Sequence, residues 1–163
     1  MFTCRPWEPD DVPFLWEMLH QSIHVRAGEP APPRTILEQP DIAHYLADFG
    51  NRRGDDAQVA VDAAGERIGA AFGRAMTADD PGYGFVSEEI PELGMAVVPE
   101  WRGRGVGRRL LTDLLVRHQS MSLSVDLDND GAARLYAGLG FVQVAVEGTA
   151  KTMLRQPIND DRR

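Results

Sequence analysis

The sequence predicts one α/β (α+β) domain, a sheet with helices packed on it, and three observations carry that prediction. The length of 163 residues is close to the ~150 typical of one domain. Strand-like and helix-like segments alternate from residue 92 to residue 146. Apolar residues make up 43% and charged residues 26%, the balance of an ordinary globular chain. A domain of this size buries roughly 70% of the surface its unfolded chain exposes, so it needs no disulfide or structural metal to hold together.

The elements follow in order. Residues 2–5 read as a short strand containing Cys4, the sole cysteine, expected as a small buried hydrophobe. Asp10 and Asp11 precede a helix, with Pro13 tolerated in its first turn and Phe14, Leu15, Met18 and Leu19 on one face. Pro30, Pro32 and Pro33 mark a loop. A second helix is expected over 40–49, with Ile42, Tyr45, Leu46 and Phe49 inward and Gly50 as its stop. Residues 57–62 and 67–76 read as a hairpin around a turn at 63–66. Residues 77–85 form a loop and 90–98 an extended segment; 103–118 form a helix with Val106, Leu110, Leu111, Leu114 and Leu115 inward. A strand at 121–127, a helix from about 130 to 139 ending at Gly140, and two strands at 141–146 and 149–154 complete the chain. The domain is expected to span 1–155, with a polar tail at 156–163.

Charge and cysteine usage exclude several classes. The net charge of −8 argues against a nucleic-acid binder or a polybasic membrane protein. One cysteine gives no disulfide framework, CxxC motif or cysteine-based zinc site. His20, His24, His44 and His118 show no metal-ligand spacing with a partner acid, so no metal is expected. Ser120, Ser122 and Ser124 lie in no GxSxG elbow. With no basic start before an apolar stretch and no run of ~18 apolar residues, a cytoplasmic location is expected.

One passage carries chemistry. After the extended segment come Arg102, Gly103, Arg104, Gly105, Val106, Gly107 and Arg108, with Arg109 next. Glycines allow close backbone approach, and the free N–H groups of a helix start make an anion site suited to pyrophosphate. The local arginines stand out in an acidic chain. No Gly-Lys-[Ser/Thr] nucleotide loop occurs, and the spacing does not fit GxGxxG.

Arg102, Gly105 and Gly107 stand in a pattern that resembles the [Arg/Gln]-x-x-Gly-x-[Gly/Ala] loop of the GNAT superfamily of N-acetyltransferases. Upstream, Leu93, Gly94, Met95, Ala96, Val97, Val98 and Pro99 look like that family's fourth strand. Downstream, Asn129, Ala132, Leu135, Tyr136, Gly140 and Phe141 match its N-x-x-A-x-x-L-Y-x-x-x-G-F segment. The resemblance covers about residues 90–146. It implies a mixed, mostly antiparallel sheet of about six to seven strands with about four helices, and a splayed fourth and fifth strand holding acetyl-CoA. The backbone of Met95, Ala96 and Val97 would bond the pantetheine arm, with Asn129 beside it. The segment from Gly103 to Arg108 would cradle the pyrophosphate, and Tyr136 would protonate the departing thiolate. A phenol suits that task because it stays protonated at neutral pH.

The base that deprotonates the acceptor ammonium is less defined. Some relatives carry a Glu on the fifth strand, where this chain has Ser124. Glu92, near the start of the fourth strand, is the chosen base, with Glu88 and Glu89 just upstream, Asp126 as another candidate and a water chain as the alternative. Acceptor specificity would come from residues 22–39 and 77–91. The second stretch interleaves Asp79, Asp80, Glu88 and Glu89 with Tyr83 and Phe85, a composition suited to a cationic amine. The expected function is therefore acetyl transfer in a ternary complex to a small cationic or amino-acid-like amine, with room for a homodimer. A protein N-terminus as acceptor, a non-catalytic acyl-CoA sensor and an ATP or phosphosugar module are the alternatives.

Overall fold

The computed structural model describes residues 1–157; of the expected tail at 156–163, residues 158–163 lie outside the described residues. Seven strands form one sheet in the order β1-β2-β3-β4-β5-β7-β6. They are β1 (Phe2–Pro6), β2 (Asp56–Asp62), β3 (Arg67–Arg74), β4 (Glu92–Val97), β5 (Met121–Asp126), β6 (Val142–Glu147) and β7 (Ala150–Arg155). Every pairing is antiparallel except that of β4 with β5. The helices are α1 (Val12–Ser22), α2 (Pro40–Ala43), α3 (Val106–Arg117) and α4 (Asp130–Gly138). The mixed, mostly antiparallel sheet with a parting β4 and β5 agrees with the expected fold.

Side-chain alternation divides the core between the two faces of the sheet. On one face, Val106, Leu110, Leu111 and Leu114 of α3 and Tyr136 of α4 pack against Leu93, Val97, Leu123, Val125 and Met153. On the other, Leu15, Met18 and Leu19 of α1, with Leu46 and Phe49, cover Ala57, Val59, Ala70, Phe72 and Ala96. Cys4 is only half-buried against the α3 side, and burial pushes its thiol up to about 11. At the sheet edge β6 is exposed along its length, with Val142, Val144 and Val146 outward.

Two expected helices are shorter than their sequence pattern. The segment 40–49 is helical only over Pro40–Ala43 and then continues as turns to Gly50. Its carbonyls go elsewhere: that of His44 accepts Nη1 of Arg74 at 2.9 Å, and Asp48 and Gly50 take left-handed φ of 57° and 104°. The expected helix at 103–118 starts at Val106, because Gly105 ahead of it has φ 83° and cannot be helical. A 3-10 turn, Arg34–Glu38, occupies part of the region read as loop.

Asp11 ties the start of α1 to the sheet. Its fully buried carboxylate accepts from Nη1 and Nη2 of Arg5 at 2.7 and 3.0 Å, Nε of Arg67 at 2.7 Å and N–H of Glu8 at 2.7 Å. Burial alone would raise the carboxyl's pKa, but the bonds from Arg5, Arg67 and Glu8 outweigh it and hold it well below the usual carboxylate range. A depressed folded pKa gives stability that is whole above the unfolded value, about pH 4, and fades as pH falls toward the folded value. Acid titration followed by circular dichroism is expected to show Asp11→Asn less stable than the parent at pH 7, with the gap closing below about pH 4. A constant gap down to the lowest pH refutes the assignment.

Candidate functional site

The site lies where β4 and β5 separate. The two strands share one pairing, Glu92 with Ser122, and beyond it the β4 edge carrying Leu93 to Val97 has no strand partner on the β5 side. Glu92 shares strand parity with Ala96, so its side chain stands on the α1 face, as do those of Ser122, Ser124 and Asp126. Ser124 is exposed and Asp126 half-buried.

Glu92, the expected base, is 2% exposed. Its Oε1 accepts N–H of Gly84 at 2.8 Å and Oη–H of Tyr45 at 3.2 Å, while Oε2 is buried without a partner. Burial pushes its pKa above the usual carboxylate range, against the opposing pull of those hydrogen bonds. The loop at 77–91 closes over it. A Cβ on Gly82 would stand 2.1 Å from Oε2, and one on Gly84 would stand 2.4 Å from the carbonyl carbon of Leu123. Only glycine lets this backbone lie so close to both the carboxylate and β5.

Residues 44 and 45, absent from the sequence-based set of site residues, complete this corner. Tyr45 donates to Glu92 and accepts N–H of Tyr83 at 2.8 Å; burial, then the charge of Glu92, pushes its phenol up. His44 Nδ1 is 2.8 Å from Oδ1 of Asp80, and its Nε2 is buried without a partner. The expected acidic loop is thus partly engaged internally: Asp80 holds His44, Oε1 of Glu88 accepts N–H of Ala78 at 3.0 Å, and the Tyr83 hydroxyl bonds Asp41. Asp41 raises the Tyr83 phenol to about 12. The only sequence sign of Tyr45 was its place on an apolar helix face, which marks a core residue.

On the other side of the β4 fork lies the glycine-rich loop. Gly103 and Gly105 have φ of 75° and 83°, and a Cβ on either would meet open space. Gly107 does a different job, since a Cβ there would press on Met95 Sδ at 3.2 Å. The backbone N–H groups of residues 103–108 find no backbone acceptor among the described residues. Six such donors at the positive end of a 12-residue helix are an arrangement able to hold a polyphosphate. Val106, the first helical residue, is buried in the core and anchors that end.

The arginines diverge. Nε of Arg102 donates to the Val97 carbonyl at 2.9 Å, fastening the loop to the end of β4. Arg104 stacks on Trp101 at 4.9 Å. Arg108 is exposed, whereas Arg109 bonds Asp113 at 3.0 Å within α3. The donor loop and its exposed guanidinium groups suit a polyanionic ligand.

Asn129 is half-buried and caps α4, its Oδ1 accepting N–H of Ala132 at 3.4 Å. Tyr136, on α4, is 8% exposed with its ring edge toward Phe141 at 5.8 Å, and burial pushes its phenol up to about 12. One of the histidines, expected to have no metal-ligand spacing, stands beside two carboxylates: His24, Asp126 and Asp128 bring ligand-type atoms within 4.8 Å of one another. Arg26 stands 3.9 Å from Asp128.

A family model described as the acetyltransferase (GNAT) domain matches residues 54–143. The chain belongs to the GNAT acetyltransferases. Among curated proteins, N-alpha-acetyltransferase RimI of Mycobacterium tuberculosis is 44% identical over 60 residues, covering 36% of this chain and 37% of RimI. This chain therefore spans well under half the length of the curated relative it matches. Among solved structures, yncA from Salmonella typhimurium with its cofactor acetyl-CoA superposes with a TM-score of 0.66 at 19% identity, covering 98% and 96% of the two chains. A spermidine N-acetyltransferase SpeG chimera from Vibrio cholerae and hSSAT superposes at 0.59 and 20% identity, covering 95% of each. These likenesses agree with the GNAT fold. Among the described residues, no helix of this GNAT chain is long and apolar enough to cross a membrane.

Proposed function

We propose that this enzyme transfers an acetyl group from acetyl-CoA to a primary amine by direct attack in a ternary complex. The observation that carries the reading is the juxtaposition at one fork of a polyphosphate loop, an unpartnered β4 edge and a buried carboxylate. Acetyl-CoA supplies an activated acyl group on a thiol leaving group. The N–H groups from Gly103 to Arg108 hold its phosphates, with Arg102 and Arg104 beside them, and Val106 fixes the helix end. The backbone of Met95, Ala96 and Val97 offers the pantetheine arm the pairing that β5 does not, and Asn129, at the start of α4 just after β5, would lie beside it.

At the reacting centre, the ionised Glu92 accepts the proton of the acceptor ammonium, giving the neutral amine that attacks. A raised pKa makes this carboxylate a better base, provided the working pH keeps it ionised. Tyr136, whose phenol stays protonated far above neutral pH, donates to the departing thiolate.

A small cationic or amino-acid-like acceptor is favoured by the acids Asp79 and Glu89 at the rim, and the spermidine enzyme among the structural neighbours supports the same class. A peptide N-terminus is the second reading, favoured by the RimI match. A panel of polyamines, amino-acid amides and short peptides, read by release of CoA thiol, separates them. Tyr136→Phe is expected to lower kcat by roughly 10²-fold on the preferred acceptor, with acetyl-CoA affinity unchanged. CoA binding without turnover across the whole panel refutes the enzyme reading in favour of a sensor.

The loop has its own test. Gly105→Val forces a β-branched residue into φ 83° without a steric neighbour, so the fold survives while the loop loses its shape. Calorimetry is expected to show acetyl-CoA affinity at least about tenfold weaker, equal to about 1.4 kcal/mol. Unchanged affinity means that the phosphates bind elsewhere.

A further inference from the structure

The last residue of β5 and the turn that follows it carry two carboxylates. The N–H of Asn129 closes this turn on the Asp126 carbonyl at 3.0 Å, and the N–H of Leu127 bonds the Thr149 carbonyl at 2.9 Å. These bonds fix the backbone beneath Asp126 and Asp128, so both acids leave one held turn. From the other side, α1 ends at Ser22 and the chain leaves it extended at Ile23, with φ −72° and ψ 115°. That exit brings His24 to the same turn. His24, Asp126 and Asp128 each offer one ligand-type atom, and the three atoms lie within 4.8 Å of one another.

A hydrogen-bonded pair does not account for this cluster. His44 with Asp80 and His118 with Asp56 are hydrogen bonds of 2.8 and 2.7 Å, each to one carboxylate. His24 Nε2 stands 3.1 Å from Oδ1 of Asp128, yet out of line for a hydrogen bond. An imidazole nitrogen carries its lone pair along the line its N–H would take, so Nε2 is aimed past that oxygen. The carboxylate of Asp126 enters no ion pair among the described residues. Arg26 approaches Oδ2 of Asp128 at 3.9 Å, which leaves Oδ1 to the cluster. At that distance on a half-exposed carboxylate, its charge weakens the pull on a second cation without cancelling it.

One imidazole nitrogen with two carboxylate oxygens is a donor set for a divalent transition ion; Mg²⁺ and Ca²⁺ favour oxygen alone. Zn²⁺ holds such ligands at about 2.0–2.2 Å, which sets two of them roughly 3–4 Å apart. The separations here, 3.1 Å for one pair and none beyond 4.8 Å, need only small side-chain rotations to close. Asp128, whose side chain is 52% exposed, has the room to make them. We propose that His24, Asp126 and Asp128 form a binding site for a divalent transition-metal ion of the Zn²⁺ class, with water completing its coordination. Residue 24 and residues 126–128 are remote in sequence, so no ligand spacing along the chain announces the site. The bound ion ties the segment after α1 to the end of β5. The site stands whether or not the acetyltransferase reading does.

The test uses the full chain with neither acetyl-CoA nor acceptor. Calorimetry with Zn²⁺ is expected to show binding in the micromolar range. Zn²⁺ should also raise the melting temperature, because only the folded chain brings the three ligands together. His24→Gln and Asp128→Asn are each expected to weaken binding by at least about tenfold and to remove the thermal shift. Both side chains are partly exposed, at 26% and 52%, so the variants keep the fold, which circular dichroism checks. Arg26→Gln should bind no more weakly than the parent, and His118→Gln, whose histidine pairs with one carboxylate, should match it. In ¹H NMR, the His24 ring signals, assigned through His24→Gln, should move when Zn²⁺ is added. No binding up to about 0.1 mM Zn²⁺ overturns the proposal. So does binding that survives in His24→Gln, or that falls as far in Arg26→Gln or His118→Gln. Binding of 1,4-diaminobutane in place of Zn²⁺, with the same dependence on Asp128, overturns the metal assignment and makes the cluster an ammonium subsite.

Discussion

Glu92→Gln is expected to lower kcat/KM for acetyl transfer by roughly 10²- to 10⁴-fold, the range for loss of a general base. Its melting temperature should stay level or rise. The physical reason is the same for both effects. Burial raises the folded-state pKa of Glu92, so above that value the ionised carboxylate costs stability that a neutral side chain does not. Glutamine retains an acceptor for the N–H of Gly84 and the hydroxyl of Tyr45 and removes the charge. Activity and stability therefore move in opposite directions. In the parent, kcat/KM should fall as pH drops through the raised Glu92 value, above the ordinary carboxylate range. A profile flat through this range, or a variant with parent-like turnover, removes Glu92 from the reaction.

The second large effect concerns stability. Asp55→Ala is expected to cost about 3–5 kcal/mol, the usual consequence of stripping one partner from a buried ion pair. The side chains of Asp55 and Arg74 are each 1% exposed, joined by bonds of 2.8 and 3.0 Å. The same carboxylate accepts N–H of Gly50 at 2.8 Å and N–H of Arg52 at 3.0 Å. Its loss strands a buried guanidinium and frees the turn that carries His44 and Tyr45. For a chain of this length the melting temperature should drop by on the order of 10 °C. Asp55→Asn, which retains acceptors for the two N–H groups, should lose less. A change below about 1 kcal/mol in Asp55→Ala means that the pair is replaced by water at no cost.

The C-terminal part of the domain was legible because its signals are local. A strand, glycines at 103 and 105, and apolar residues at helical spacing from 106 to 115 each constrain only their neighbours in sequence. The shape of the glycine-rich loop followed from that local order. The corner around Glu92 did not, because its partners are remote: Tyr45 lies 47 residues away, and His44 and Asp80 are 36 apart. The apolar period through Ile42, Tyr45, Leu46 and Phe49 predicted a helix for a segment whose carbonyl at His44 is claimed by Arg74. Nothing in residues 77–91 foretold that Gly82 and Gly84 would seal a carboxylate from solvent. Gly107 matched the motif, yet its packing against Met95 depends on two elements meeting in space.

The single pairing between β4 and β5 makes the sheet a hinge as much as a wall. On either side of that seam, the strands are fully laddered to their other neighbours. Amide hydrogens on the open flank of β4 should therefore exchange with solvent faster than those facing β3, although both belong to one strand. A ligand that fills the seam joins the two ladders, slows that exchange and makes the sheet unfold as one unit. If the proposed acyl donor fills that seam, its occupancy then governs mechanical cohesion as well as chemistry.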